Sequence, residues 1–232
     1  MKFGKAMFNF MLSIIFGIDF IFIAIILIFS LYFDLKFRRI SNKHLKIFYL
    51  ISLILNFLEF WIFYKIFLLF IILKFLIIIL TFLISLLLFS LKIIGGGDGK
   101  LIILIFLTHP IKYLEFGLVL LFFLLFSLLF FIFFFSNFLI NHIVKNSYSF
   151  EILFSYNIKI SVFKRFYLKM FFRFFNLSEI IDYQGYKKSI KSQTIFYNSI
   201  KKKLQLFAQY QPPLVIMCIL SYYTIFFLKI GF

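Results

Sequence analysis

Long apolar runs dominate this chain of 232 residues and restrict its fold more than any other feature. Several of them, such as 114–140, reach the ~20 residues that a helix needs to cross the ~30 Å hydrocarbon core of a bilayer. The run 118–126 contains no polar residue, whereas the strands of a membrane β-barrel alternate apolar and polar side chains. The sequence therefore predicts an all-α fold, a polytopic membrane helix bundle.

About six transmembrane helices are predicted, with a polar, lysine-rich insert before the last one. The predicted helices cover 6–33, 47–64, 66–91, 114–140 and 212–230, with a short apolar run at 101–107 as the fourth. This division gives a membrane core over 1–140, a cytoplasmic insert over 141–211 and a last transmembrane helix over 212–232.

The formal net charge of +17 reflects the orientation of the chain in the membrane rather than a nucleic-acid partner. Of the 25 lysines and arginines, five lie in 34–46 and twelve in 141–212. Such clusters are typical of the cytoplasmic side of a membrane protein and of contact with anionic lipids. With six helices, both clusters and the glycine segment near 95–99 fall on the cytoplasmic side of the cell membrane, and both termini fall outside.

Cations and aromatic residues alternate at roughly helical spacing over 163–175. This pattern predicts an amphipathic helix that lies on the anionic lipid surface. A docking site for a substrate is the weaker interpretation, and nucleic-acid binding is the weakest.

Two aspartates lie where predicted helices meet the cytoplasmic face. Asp34 ends the first apolar run, and Asp98 follows Gly95, Gly96 and Gly97, which we expect to interrupt regular helix geometry. An ionisable group at this depth is costly, so it indicates a functional site. Two close carboxylates in a low-dielectric site share one proton, which lets one act as a base and the other as an acid. The pair predicts a membrane aspartyl protease.

The residues around both aspartates carry a family resemblance. Asp34-Leu-Lys-Phe-Arg-Arg-Ile-Ser-Asn42 resembles the first motif of type IV prepilin peptidases, D-x-x-x-x-R-x-I-P-N. The segment from Gly95 to Leu101 resembles their second motif, G-x-G-D-x-K. The order of the motifs, the two helices between them and the chain length resemble the archaeal preflagellin and prepilin peptidases. Gln211-Pro212-Pro213-Leu214 is weakly similar to the start of their last helix.

The resemblance implies roles for seven residues. Asp34 and Asp98 become the catalytic aspartates. The remaining motif positions become residues that shape the loop or bind substrate: Gly95, Gly97, Lys100, Arg39 and Asn42. Ser41 stands where the family usually has proline, and we expect this to loosen the loop.

The resemblance also implies a reaction. It is the removal of a short basic leader peptide from type IV pilin-like or archaeal flagellin precursors, at the cytoplasmic membrane face. No metal and no organic cofactor is implied, and the oligomeric state is not predicted.

Two alternatives stay open. One is a presenilin-like intramembrane protease, whose landmarks are similar to Tyr32-Phe33-Asp34, Gly95–Asp98 and Pro212-Pro213-Leu214. The Arg–Ile–Asn run after Asp34 favours the peptidase family instead. The other alternative is a non-enzymatic assembly or transport component, in which intramembrane charges bind ions or partner helices.

Further polar residues of the predicted helices are interpreted as structural. We expect Lys74 to form an ion pair with Asp19 or Glu59. The three histidines are scattered, so no zinc site is predicted. Cys218 is the only cysteine and is predicted to be a buried packing residue.

Overall fold

The computed structural model describes residues 2–37, 40–63, 67–91, 93–143, 147–156, 161–176, 194–198, 202–210 and 212–230. The helices are α1 (Lys2–Phe37), α2 (Asn42–Ile62), α3 (Phe67–Ser90), α4 (Gly96–Thr108), α5 (Phe116–Ile143), α6 (Ser147–Tyr156), α7 (Val162–Phe171) and α8 (Leu214–Ile230). The strands are β1 (Phe172–Asn176), β2 (Thr194–Asn198) and β3 (Lys203–Gln209).

The predicted fold class, a membrane bundle of α-helices, is confirmed. Four helices contain stretches long and apolar enough to cross a membrane: Ser13–Phe37, Asn42–Ile62, Leu68–Ser90 and Phe116–His142. The chain is thus a multi-pass membrane protein. Helix α8 is apolar but has only 17 residues. Helix α4, with 13 residues and about 20 Å of length, is not among these four.

Helix α4 is the buried centre of its part of the bundle. Leu101, Ile102, Leu104, Ile105 and Phe106 are all fully buried. Helices α2 and α3 pack along α4, and α1 and α8 also contact it. By contrast, the long helices expose many leucine and isoleucine side chains, as expected of surfaces that face lipid. The middle of helix α4 is therefore enclosed by protein, whereas Gly95 and Gly96 at its start are exposed.

The glycine segment departs from the expectation of an interrupted helix. Helix α4 begins at Gly96, so Gly97 and Asp98 form its first turn. The Gly99 N–H donates to the Gly95 carbonyl at 3.1 Å, and the Gly95 N–H donates to the Asp98 carboxylate at 3.0 Å. These bonds satisfy groups at the start of the helix and outweigh the low helix propensity of glycine.

The chain forms two compact units, Met1–Leu125 with Leu214–Phe232, and Phe126–Pro213. The second unit contains an antiparallel sheet of order β1-β3-β2, which was not predicted from the sequence. The apolar core of this second unit consists of the buried side chains of Phe150, Phe154 and Phe174. The helix expected over 163–175 ends at Phe171, because the residues after it pair with β3, Phe174 opposite Phe207.

Candidate active site

Asp34 lies on the last turns of α1, facing the start of α8. Its side chain is buried, with the residue only 8% exposed. The backbone N–H of Val215 donates to Asp34 Oδ2 at 3.4 Å. The N–H groups at a helix start have no partner within the helix and carry partial positive charge. The start of α8 therefore supplies the Asp34 carboxylate with one backbone donor.

Asp98 is the third residue of α4, and its carboxylate folds back over Gly95. Asp98 Oδ2 accepts the Gly95 N–H at 3.0 Å. A Cβ atom on Gly95 would lie 2.8 Å from this same oxygen. A residue with a Cβ atom at position 95 would require the Asp98 carboxylate to move from its observed position.

The two aspartates predicted to form a pair lie close enough to interact electrostatically. Burial is the larger cause that raises the pKa of Asp98, and the negative charge of Asp34 raises it further, to about 7. The hydrogen bond from Gly95 acts in the opposite direction. The buried thiol of Cys218 on α8 also lies within electrostatic range of both carboxylates. Helices α1, α4 and α8 therefore converge on one acidic site.

Gly97 joins the two motif segments. A Cβ atom on Gly97 would lie 3.4 Å from the carbonyl oxygen of Ile40 and 3.5 Å from its Cβ. These are ordinary van der Waals distances, so the segment after α1 lies directly against the first turn of α4 at Gly97. Next to Ile40, Ser41 has a φ of −70°, close to the angle that proline imposes. Its hydroxyl accepts the N–H of Lys43 at 3.3 Å, as the N-cap of α2.

Lys100 and Asn42 bond to each other across the same junction. Lys100 Nζ donates to Asn42 Oδ1 at 3.0 Å, and both side chains are exposed. The hydroxyl of Tyr49 donates to the carbonyl of Lys100 at 2.8 Å. Arg39, the remaining predicted site residue, lies outside the described residues.

Three contributors to the site were not assigned from the sequence: Ile40, Tyr49 and Val215. Tyr49 is seven residues after Asn42 on α2, which is two helical turns and thus the same face. Val215 follows two prolines that have no N–H, so it belongs to the first group of backbone donors on α8. The helical period could have identified Tyr49, and the Pro-Pro pair could have identified Val215.

A second buried polar cluster holds the other end of α4. Lys74 Nζ lies 3.2 Å from Glu59 Oε2, which confirms the predicted ion pair for Glu59. The same ammonium donates to the carbonyls of Leu107 and His109 at 3.1 and 2.8 Å. Glu59 accepts the N–H of Ile111 at 2.6 Å. This cluster therefore satisfies backbone groups that the end of α4 would leave unpaired inside the bundle.

The chemistry available at the acidic site is that of two carboxylates and exposed glycine backbone. In the part of the chain that the structure describes, no group of three or more His, Cys, Asp or Glu residues could hold a metal ion. A buried carboxyl that keeps its proton beside one that is ionised provides an acid and a base at neutral pH.

Residues 21–156 match a family model described as the type IV leader peptidase family. The matched region covers more than half of the chain and contains both Asp34 and Asp98. No curated protein and no solved structure matches the chain.

Proposed function

The chain belongs to the type IV leader peptidase family, and on this basis we propose that it is an aspartyl endopeptidase with Asp34 and Asp98 as its catalytic pair. The family makes it a peptidase, and its apolar helices make it a multi-pass membrane protein. The observation that carries the catalytic proposal is the electrostatic coupling of the buried Asp34 carboxylate with the half-buried Asp98 carboxyl group, which belong to separate motifs.

The surroundings of the two carboxyl groups assign their roles. Asp34 accepts an N–H from the start of α8, which stabilises a negative charge there. Asp98 keeps its proton up to about pH 7 because of burial and the neighbouring charge. Asp34 therefore acts as the general base and Asp98 as the general acid.

Hydrolysis then proceeds through a hydrated carbonyl. Asp34 takes a proton from a water molecule whose oxygen attacks the scissile carbonyl carbon, while Asp98 gives its proton to the carbonyl oxygen. In the second step Asp34 returns its proton to the amide nitrogen, and Asp98 recovers one from a hydroxyl of the intermediate. The C–N bond breaks to release an acid and an amine, and both aspartates regain their starting states.

The substrate is the leader segment of a pilin-like or archaeal flagellin precursor, cut at the cytoplasmic face of the cell membrane. Family membership supports a pilin-type precursor. The exposed backbone of Gly95 and Gly96 leaves space for an extended peptide beside Asp98. The basic clusters in 34–46 and 141–212, both of which the six-helix topology assigns to the same side, support the cytoplasmic orientation.

Mass spectrometry of the products after co-expression with such a precursor tests this function. We expect a cut just before the apolar segment of the precursor, and no product in the Asp34→Asn, Asp98→Asn double variant. A cut inside the apolar segment would instead support a presenilin-like protease. An intact precursor in the presence of the unaltered protein would contradict the proposed function.

A further inference from the structure

Helix α7 separates its apolar and cationic side chains into two faces. At 100° per residue its apolar arc contains Val162, Phe163, Phe166, Tyr167, Met170 and Phe171. Lys164 and Lys169 border this arc on either side, and Arg165 lies opposite it. This arrangement is typical of a helix at a membrane surface, where lysines extend towards lipid headgroups.

The apolar arc is exposed where a protein core would normally cover it. Val162 and Phe163 are 84% and 80% exposed, and Phe166 and Tyr167 are each nearly half exposed. Exposed aromatic surface of this kind marks a contact with lipid or with another protein.

The opposite side of α7 is already occupied by its own unit. Leu168 packs against the Phe150, Phe154 and Phe174 core. The guanidinium of Arg165 lies 5.4 Å from the centre of the Phe154 ring. Val162, Phe163 and Tyr167 of the apolar arc thus face outwards.

Two asparagines fix α7 to the end of α5. Asn137 and Asn141 are buried and one helical turn apart on α5. Asn137 Nδ2 donates to the carbonyls of Met170 and Phe172 at 2.9 and 3.3 Å. Asn141 Nδ2 donates to the carbonyls of Lys169 and Phe172, both at 2.7 Å. These four bonds hold the C-terminal end of α7 on the last turns of α5.

The position of these asparagines along α5 sets the depth of α7. With 28 residues, α5 is about 42 Å long, whereas the hydrocarbon core is about 30 Å thick. The last turns of α5 therefore reach the headgroup region. Phe138 of α5 packs against Phe166 of α7 with ring centres 5.0 Å apart, so the apolar arc continues the apolar surface of a membrane-spanning helix.

We propose that α7 docks on an anionic bilayer surface. Val162, Phe163 and Tyr167 enter the boundary of the acyl chains, and Lys164 and Lys169 bind lipid phosphates at its edges. The charge of the two lysines complements that of an anionic leaflet. This surface is independent of the acidic site and of the proposed peptidase reaction.

Tryptophan fluorescence of the full-length protein in liposomes tests the docking. Trp61 is the only tryptophan, so Trp61→Phe with Phe163→Trp places a single reporter on the arc. Val162→Trp, also highly exposed, is a second reporter should the first variant fail to fold. Tyr197→Trp on β2, at a residue 58% exposed, is the matched control.

We expect lipids with brominated acyl chains to quench most of the emission at position 163, and aqueous acrylamide to quench little of it. The control at position 197 should show the opposite pattern. Quenching at position 163 by acrylamide to the same extent as at 197 would overturn the proposal. Protection at position 163 from both quenchers would also overturn it, because it would indicate that another protein surface covers the arc.

Lipid charge is tested with the same reporter. Quenching by brominated lipid should be stronger in bilayers that contain anionic lipid than in purely zwitterionic ones. The Lys164→Glu, Lys169→Glu double variant should lose this difference, whereas Lys202→Glu with Lys203→Glu, an equal change of charge in the same unit, should keep it. Equal quenching in both lipids, or equal losses in both charge variants, would contradict the role of the two lysines.

Discussion

The carboxylate of Asp34 accepts the backbone N–H of Val215 at 3.4 Å, which joins the last turns of α1 to the first turn of α8. The two prolines before α8 have no backbone N–H. The N–H of Val215 is therefore among the first backbone donors of α8, and it contacts this carboxylate. Asp98 lies within the first turn of α4 instead, and its pKa is raised by burial and by Asp34. The two carboxyl groups therefore have different surroundings although they lie in the same site.

This difference predicts how the reaction depends on pH. Since the pKa of Asp98 is about 7, the general acid loses its proton as the pH rises through that value. We expect the rate to fall about tenfold per pH unit above it. Initial rates in proteoliposomes on either side of this pH measure the decrease. A rate that stays constant about two units above the pKa would contradict the role of Asp98.

The same pKa predicts how folding stability depends on pH. In the unfolded chain Asp98 has the ordinary aspartate pKa of 3.8, and folding raises this pKa to about 7. Between these values the folded state binds more protons, so its stability decreases as the pH rises. Asp98→Asn should remove this part of the pH dependence, because the amide does not titrate. Unfolding temperatures in detergent at several pH values give the comparison, and identical slopes for both proteins would contradict it.

Gly95→Ala should reduce catalysis through the position of Asp98. Its Cβ atom would lie 2.8 Å from Asp98 Oδ2, so the carboxylate must move. A displacement of about 1 Å in a catalytic group costs on the order of 100-fold in rate. Gly117→Ala is the matched control, because a Cβ atom there meets nothing within 4 Å. Equal activity of the two variants would show that the observed carboxylate position is not needed.

Lys74→Met should destabilise the fold. It leaves Glu59 as a buried carboxylate without its cation and removes the donor to the carbonyls of Leu107 and His109. Breaking a buried ion pair from one side costs about 3–5 kcal/mol. The unfolding temperature in detergent is the measurement, with Lys112→Met at an exposed cation as the control. An unchanged unfolding temperature would argue against the pair as a structural contact.

The exposed pair of Lys100 and Asn42 should couple weakly. The two side chains form a hydrogen bond at 3.0 Å but face solvent, so their coupling is expected to be at the lower end of the range for a hydrogen bond, about 0.5 kcal/mol. A double-mutant cycle on kcat/KM with Lys100→Met and Asn42→Ala measures it. Each single change should lower kcat/KM, and the double variant should lose less than the sum of the two single losses. Purely additive losses would show that the contact does not contribute.

The acidic site was largely predictable because its residues belong to two local motifs. The motif residues stand next to helix ends: Asp34, Asp98, Gly95 and Gly97. The lengths of the apolar runs predict where those helices end. The contact between Asp34 and Val215 joins residues 181 positions apart, so only the weak Pro-Pro signal indicated it.

Two features of the fold were not predicted because contacts beyond local propensity determine them. Asp98 and Gly95 form a hydrogen bond that starts α4 within a glycine-rich segment of low helix propensity. Strand β1 and the helix before it, α7, contain a similar mixture of phenylalanine and basic residues. The residues of β1 form a strand because β3, about thirty residues further on, supplies their hydrogen-bond partners.

The most direct test of the catalytic pair is the initial rate of precursor cleavage by purified protein in proteoliposomes. Asp34→Asn and Asp98→Asn should each reduce the rate to background, since either change removes one of the two proton transfers. Asp19→Asn, the same chemical change at another buried aspartate of α1, should retain cleavage. Full activity in either of the first two variants, with the protein folded and inserted, would contradict the assignment of Asp34 and Asp98.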